Sequence, residues 1–191
     1  MRLVFFTTSS ILFGILLVPN NADALTDLFL EKDEVVAFVG GTDMVRMQKE
    51  GRVEAALTHR YKKARPRFRD LSWEGDTVYL QTTVSERWRR KAFGDLNGQL
   101  NKVGATVVIV QFGKIESLDG PGRLEDFTKA YDKLIDQLSS DGRRVALLAP
   151  PSFEWEQANG DFLKAYSNAV EELAVKRKIP FIRDLMGQTE P

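Results

Sequence analysis

The strongest constraint on the fold of this 191-residue chain is a set of short, unbroken apolar runs separated by longer amphipathic stretches. The runs are Val35–Val39, Thr106–Phe112, Arg144–Ala149 and the stretch "PFIRD" that starts at Pro180. Uninterrupted runs of this length are typical of strands buried on both faces, as in a parallel sheet. A fifth stretch, "RFRDLS" (Arg67–Ser72), alternates apolar with charged residues and predicts an edge strand.

The segments between these runs carry apolar residues at helical spacing. The three stripes are Phe93, Leu96, Leu100 and Val103; Leu124, Phe127, Tyr131, Leu134 and Leu138; and Phe162, Tyr166, Val170 and Leu173. Gly142 predicts the end of the second helix, Asn159 a cap for the third, and Lys176 to Lys178 complement its negative end. Alternating strands and helices predict an α/β fold: a three-layer α/β/α sandwich around a doubly wound, mainly parallel, five-stranded sheet.

The amino terminus has the pattern of an export signal. Arg2 precedes the apolar stretch Leu3–Val18, and Ala22-Asp23-Ala24 forms an A-x-A cleavage site, which predicts a signal peptide over residues 1–24. The rival interpretation is an uncleaved anchor, but Thr7 to Ser10 interrupt the apolar stretch and leave it short of a bilayer span. We therefore expect an exported protein, periplasmic or extracellular, with a single domain at 25–191 and no transmembrane segment after cleavage.

Composition excludes several classes of function. The chain has no cysteine, which removes disulfides, thiol catalysis, thiolate metal sites and a lipid anchor at the cleavage site. Lys and Arg total 27, as do Asp and Glu, so no overall field favours nucleic acid or membrane. Two basic stretches, Arg60–Arg69 and Arg87–Lys91, suit an anionic glycan, lipid or protein, or are simply solvated. We expect no nucleic-acid partner, because exported proteins rarely meet one and stacking aromatics are few.

Three loops with polar residues follow the predicted strands. They are Gly40–Asp43, Trp73–Thr77 and Gly113–Ser117. In a doubly wound sheet, ligands bind outside the carboxyl ends of the strands, where the winding order reverses. These loops are therefore the predicted location of the functional site.

The stretches "VAFVGGTDM", "RDLSWEGDTV", "VVIVQFGKIES" and "RVALLAPPSFE", in this order, resemble the SGNH or GDSL hydrolases. The likeness is greatest to the branch whose second motif reads Asn-Leu-Gly-Trp-x-Gly-Asp-Thr, and "GDFLKAYSNAVEELAVKRKIPFIRDL" is similar to the family's last helix and strand. The resemblance implies a flavodoxin-like sheet and ester hydrolysis. The family uses a serine from Gly-Asp-Ser, an oxyanion hole built partly from a Gly and an Asn, and a histidine from Asp-x-x-His.

Only some of the family's catalytic residues have a match in this sequence. Thr42 stands at the serine position and Gly41 at the preceding aspartate. Gly75 and Gly113 match the glycines of the second and third motifs, and the resemblance makes them oxyanion-type positions. Ile115 stands where the asparagine would be.

The general base is missing as well. A hydroxyl attacks an ester when a base within hydrogen-bond reach removes its proton. The sole histidine, His59, lies about 25 Å from Thr42 along the predicted helix and is expected on its surface. Asp184 is not followed by an Asp-x-x-His segment. We therefore predict a catalytically degenerate domain in which Thr42 is a vestigial nucleophile.

The same turn has a structural interpretation. Gly40 and Gly41 permit a tight strand-to-helix turn, and Thr42 or Asp43 caps a helix that begins near Met44.

The remaining loop residues leave alternatives open. Asp43, Glu74, Asp76 and Glu116 form a cation site for Mg²⁺ or Ca²⁺ if they converge. The plainer interpretation makes Asp76 and Thr77 a turn or cap and leaves Glu116 and Ser117 in solvent, so we expect no metal and no cofactor.

Two tryptophans lie near the predicted cleft. Trp73 either offers a sugar-stacking platform at its mouth or packs over its own loop. Trp155 lines the same rim or covers the core.

Two functions follow for testing. The favoured one is a binding or interaction module for an ester or carbohydrate ligand or an envelope protein, the last suggested by the resemblance. The alternative is an active ester hydrolase, such as an acyl esterase or glycan deacetylase, in which Thr42 attacks with an unidentified base.

Overall fold

The computed structural model describes residues 28–79, 92–153 and 160–183. Within them the chain forms five strands, which are β1 (Val35–Gly40), β2 (Arg67–Asp70), β3 (Val107–Gln111), β4 (Arg144–Leu148) and β5 (Phe181–Ile182). All neighbours pair in parallel, in the order β2-β1-β3-β4-β5. This is the doubly wound, flavodoxin-like order, so the predicted α/β fold and its five-stranded sheet are confirmed.

The helices lie between the strands. They are α1 (Thr42–Glu50), α2 (Arg52–Arg60), α3 (Leu96–Val103), α4 (Leu124–Ser139) and α5 (Gly160–Arg177). Short 3₁₀ helices cover Glu116–Asp119, Pro121–Arg123 and Ser140–Gly142. Among the described residues, none of these helices is both long enough and apolar enough to cross a membrane.

The sheet separates two apolar layers because successive side chains of a strand point to opposite faces. Ala37 and Val39 of β1 pack with the buried faces of α3, α4 and α5. Val36 and Phe38 pack on the other side with α1, α2 and the preceding residues Leu28 and Leu30. The result is the predicted three-layer sandwich, with β1 buried along its whole length.

Two helix boundaries differ from the prediction. The helix expected after β1 is broken at Gly51, which has φ 66° and donates its N–H to the Gln48 carbonyl as the C-terminal cap of α1. The stripe that began at Phe93 starts instead at Leu96, because Asp95 caps α3 by accepting the Gly98 N–H at 2.7 Å. Capping groups therefore decided both boundaries, and apolar spacing alone did not.

A buried guanidinium secures the amino edge of the sheet. Arg143 directly precedes β4, and its side chain is only 3% exposed. The guanidinium donates hydrogen bonds of 2.6–3.2 Å to the Leu138 carbonyl and to the side chains of Asn97, Asn101, Ser140 and Asp141. We name this set the Arg143 network, and it joins α3 to the end of α4.

Several predicted features lie outside the described residues. These are the signal segment, the basic stretch Arg87–Lys91, Trp155, the cap Asn159 and Asp184.

Candidate functional site

The candidate site is the crevice at the carboxyl edge of the sheet, between the loops that follow β1 and β3. The strand order reverses here, because the chain leaves β1 toward β2 on one side and β3 toward β4 on the other. Its lining comes from residues 41–43, Asp76, residues 111–116 and the prolines 150–151. The cavity it encloses is about 20 Å³, which is room for about one water molecule. We call it the carboxyl-edge crevice.

The turn after β1 is closed in by backbone on two sides. A Cβ atom added at Gly40 would lie 2.8 Å from the Gln111 carbonyl oxygen, and one at Gly41 only 2.6 Å from the Asp76 carbonyl oxygen. Both distances are shorter than any side chain tolerates against backbone. The loop after β2 therefore lies directly on the turn, and only glycine fits at position 41.

Thr42 is the first residue of α1. The prediction that Thr42 or Asp43 caps a helix starting near Met44 is wrong, since α1 begins at Thr42 with Gly41 as N-cap and no side-chain cap bond. The Thr42 hydroxyl instead accepts a hydrogen bond of 3.0 Å from the Gly75 N–H. The amide of Gly75, the glycine of the second motif, is thus bonded to the hydroxyl of Thr42, which stands at the family's serine position in the resemblance.

The loop after β2 is held in place by its backbone. The Trp73 N–H donates to the Gly40 carbonyl at 2.9 Å, and the Asp76 N–H donates to the Trp73 carbonyl at 3.1 Å. Gly75 has φ 74°, a left-handed conformation that suits glycine in this turn. Asp76 is buried, and its carboxylate accepts the Thr77 N–H at 3.1 Å.

The ring of Trp73 packs against another aromatic side chain. Its ring meets that of Phe93 edge to face, with centroids 5.2 Å apart. This contact supports the packing interpretation over an open sugar platform.

Glu116 is the most deeply buried carboxylate of the site. It is 3% exposed, and its two oxygens accept the N–H groups of Gly113 and Val78, each at 2.8 Å. Burial raises the pKa of the Glu116 carboxyl above its ordinary value, and the two amide bonds oppose this only in part. The expectation of a solvated Glu116 and Ser117 is wrong, because Ser117 is also buried and donates to the Lys114 carbonyl at 2.7 Å. The amide of Gly113, the glycine of the third motif, is therefore bonded within the protein as well.

An ion pair spans the mouth of the crevice. The Lys114 ammonium lies 2.9 Å from the Asp43 carboxylate, and the two side chains are only 13% and 21% exposed. The same ammonium is 5.3 Å from the centre of the Phe153 ring. Asp43 lies in the first turn of α1, where a negative charge is favourable. Lys114 was not anticipated as a site residue, because a lysine in a loop gives no sequence signal of such a partner.

Gln111 is a second site residue that the sequence did not indicate. It ends β3, is buried, and donates its amide N–H to the Ala149 carbonyl at 2.8 Å. Its side-chain oxygen is buried and accepts no hydrogen bond from the described residues. The crevice thus has one polar acceptor available for a small donor such as water.

Ile115, at the asparagine position, offers no polar group and is exposed at the rim.

The four loop carboxylates do not converge. Asp43 pairs with Lys114, and Glu116 binds two backbone amides. Glu74 lies on the surface with Lys49, which holds the pKa of the Glu74 carboxyl below its ordinary value. Across residues 28–79, 92–153 and 160–183, no group of three or more histidine, aspartate or glutamate side chains is placed to hold a metal ion.

Among the described residues, no side chain accepts a hydrogen bond from the Thr42 hydroxyl. His59 lies exposed near the end of α2, as the sequence predicted. The hydrogen bond recorded for the Thr42 hydroxyl is the one it accepts from Gly75.

Comparison with solved structures supports the fold assignment. No protein-family model and no curated protein matches the sequence. The chain is similar to the acetylxylan esterase Axe2 from Geobacillus stearothermophilus, with a TM-score of 0.60, 16% identity, and coverage of 82% of this chain and 78% of that one. An α/β hydrolase, LAE5, from the metagenome of Lake Arreo, Spain, gives a TM-score of 0.58 at 17% identity over 81% of this chain and 78% of that one. The acetyl xylan esterase AlAXEase gives a TM-score of 0.58 at 18% identity, over 81% of this chain and 78% of that one.

These similarities show that the chain has the fold of these hydrolases. Other similar structures are catalytic mutants of Axe2 in which a histidine, a serine or an aspartate is replaced by alanine.

Proposed function

We propose that this chain is an exported protein that uses an SGNH-type esterase fold as a binding or interaction module and does not hydrolyse esters. One observation carries the proposal: both amides that the resemblance assigns to an oxyanion hole are bonded inside the protein. The Gly75 N–H is bonded to Thr42 and the Gly113 N–H to Glu116. An oxyanion hole needs donors aimed at the developing charge, and removing one such donor typically slows catalysis by about 100-fold to 1000-fold.

The missing base supports the same conclusion. Threonine is a weak nucleophile until a neighbouring group takes its proton. The Axe2 structures that carry catalytic mutations replace a histidine, a serine or an aspartate. In the present chain the sole histidine is His59, on the exposed face of α2.

The small size of the carboxyl-edge crevice also favours binding of a ligand or partner outside it. The crevice holds about 20 Å³, which is far less than the volume of an acetylated sugar or a p-nitrophenyl ester. The ion pair of Asp43 and Lys114 lies among its lining residues. A ligand or an envelope protein would therefore meet the outer rim of the loops, where Ile115 is exposed.

The test is hydrolysis of p-nitrophenyl acetate by the purified wild type, Thr42→Ala and Thr58→Ala. Thr58 is an exposed threonine of α2 and serves as the matched control. We expect equal rates near background for all three proteins. Turnover that is lost in Thr42→Ala and retained in Thr58→Ala would show that Thr42 is a nucleophile and would overturn the proposal.

One observation favours the alternative, an active glycan deacetylase. The similar structures include acetylxylan esterases that cover 81–82% of this chain. That function predicts acetate release from acetylated xylooligosaccharides by the wild type and by Thr58→Ala, with none from Thr42→Ala. Absence of acetate release from the wild type would remove this alternative.

A further inference from the structure

A larger groove lies at the opposite, amino edge of the sheet. It is formed by residues 29–32, which lead into β1, and residues 60–64, which follow α2 and lead into β2. Its volume is about 670 Å³. We call it the amino-edge groove, and the esterase-like machinery makes no use of it.

The groove is held together by hydrogen bonds between its two segments. The Tyr61 hydroxyl donates to the Leu28 carbonyl, and the Asp33 N–H donates to the Ala64 carbonyl at 2.7 Å. Leu30 is buried beneath the groove. Phe29 is 65% exposed, whereas its neighbours Leu28 and Leu30 are buried. The surface is therefore preformed and presents an aromatic ring to the outside.

Basic side chains surround this ring. Lys32, Arg60, Lys62 and Lys63 line the groove, against the single carboxylate of Glu31. The three lysines are exposed and form no ion pair with any described residue. Arg65, just outside the groove, is by contrast paired with Asp33 at 2.9 Å. An exposed aromatic ring among unpaired lysines is the composition of an interfacial membrane-binding surface.

The position of the groove in the chain indicates the same partner. Residues 1–27 join the described part at Leu28, beside the groove, and they contain the apolar stretch Leu3–Val18 that predicts an export segment. The groove therefore lies at the edge of the sheet where the predicted export segment joins the described residues.

We infer that the amino-edge groove docks the protein on an anionic lipid surface. Phe29 enters the headgroup region, and the lysines contact lipid phosphates. This docking is independent of what the carboxyl-edge crevice binds.

The absence of cysteine allows a direct test on the full chain. Phe29→Cys carries an environment-sensitive fluorophore in place of the exposed ring and leaves every basic residue intact. Val175→Cys, on α5 and 51% exposed, is the matched control. On vesicles of phosphatidylglycerol and phosphatidylcholine we expect a blue-shifted, brighter emission at position 29 and no change at position 175. On phosphatidylcholine alone, the response at position 29 should be much smaller.

Charge removal tests the role of the lysines. Each basic side chain near an anionic surface strengthens partitioning roughly fivefold. Adding Lys62→Gln and Lys63→Gln to the labelled Phe29→Cys chain should therefore raise the lipid concentration for half the response by about 25-fold. Adding Lys133→Gln and Lys164→Gln, exposed lysines of α4 and α5, should leave it unchanged. Matching circular-dichroism melts show that both variants are folded.

Three results would overturn the inference. The first is no vesicle response at position 29. The second is an equal response on neutral vesicles, which assigns binding to the apolar amino-terminal stretch. The third is a blue-shifted emission before vesicles are added, which shows that residues 1–27 or a second copy of the chain already cover the groove.

Discussion

Two buried ionic groups distinguish the edges of this sheet. Arg143 at the amino edge donates to five protein acceptors, so every part of its guanidinium is matched. Glu116 at the carboxyl edge accepts two backbone amides, and burial still raises the pKa of its carboxyl. Nearby, the Gln111 oxygen is buried without a partner among the described residues. The buried polar groups described at the amino edge are thus fully matched within the protein, whereas those at the carboxyl edge are matched only in part.

The largest effect is expected from Arg143→Met. The change leaves a buried carbonyl and several side-chain acceptors without their donor, which should lower the free energy of unfolding by about 3 kcal/mol. Urea denaturation measures this loss. Arg52→Met is the control, because Arg52 forms an exposed pair with Glu50 and should cost less than about 0.5 kcal/mol. Similar losses for the two variants would contradict the assigned importance of the Arg143 network.

Glu116→Ala should be the next most destabilising change. It leaves the N–H groups of Gly113 and Val78 buried and unbonded, at a cost of about 2 kcal/mol in the free energy of unfolding. Glu125→Ala removes an exposed carboxylate of α4 and is the control. Equal stability of Glu116→Ala and wild type in urea would show that water replaces the carboxylate freely.

The same carboxyl predicts a pH dependence. Because its folded pKa lies above the ordinary 4.5, the folded protein holds this proton more tightly than the unfolded chain. Its contribution to stability is therefore full below the ordinary pKa and is lost as pH rises through the raised pKa. Relative to Glu116→Gln, which does not titrate, the wild type should lose stability in urea as the pH rises above 4.5 and through the raised pKa. A constant difference over this range would contradict the raised pKa.

The ion pair at the crevice mouth should have a smaller effect. Lys114→Met removes a mostly buried partner of Asp43 and should cost about 1 kcal/mol in the free energy of unfolding. Lys49→Met breaks the exposed pair with Glu74 and should cost less than about 0.5 kcal/mol. A double-mutant cycle with Asp43→Asn isolates the pair. Zero coupling would mean that the ion pair does not hold the crevice closed.

Thr42→Val should have the smallest effect. It removes the acceptor of the Gly75 N–H while keeping the side-chain shape, at a cost of about 0.5 to 1 kcal/mol in the free energy of unfolding. Thr42→Ser retains the hydroxyl and should match the wild type in thermal denaturation. A loss in the serine variant as large as in the valine variant would indicate that the methyl group, and not the hydrogen bond, stabilises the turn.

The sequence predicted the fold better than it predicted the site. Unbroken apolar runs and helical stripes determine strands and helices locally, and the right-handedness of parallel crossover connections leaves few topologies. The bonds of the site join residues far apart in the chain, such as Val78 to Glu116 and Asp43 to Lys114. No local pattern distinguishes a loop glutamate that binds two amides from one in solvent.

Two adjacent arginines at the amino edge also differ in ways that no local pattern indicates. Arg143 is buried and Arg144 is more exposed and paired with Glu34, yet the two look alike in sequence. Arg143 is buried because its guanidinium bonds to the end of α4 and to side chains of α3, and these elements are distant in the sequence or unrelated to its local pattern.

The tight approach of Asp76 to Gly41 limits which residues the turn after β1 can accept. An aspartate at position 41 would place its Cβ 2.6 Å from the Asp76 carbonyl oxygen. A Gly-Asp-Ser sequence therefore does not fit this turn unless the loop after β2 moves away. The turn and that loop can thus change only together.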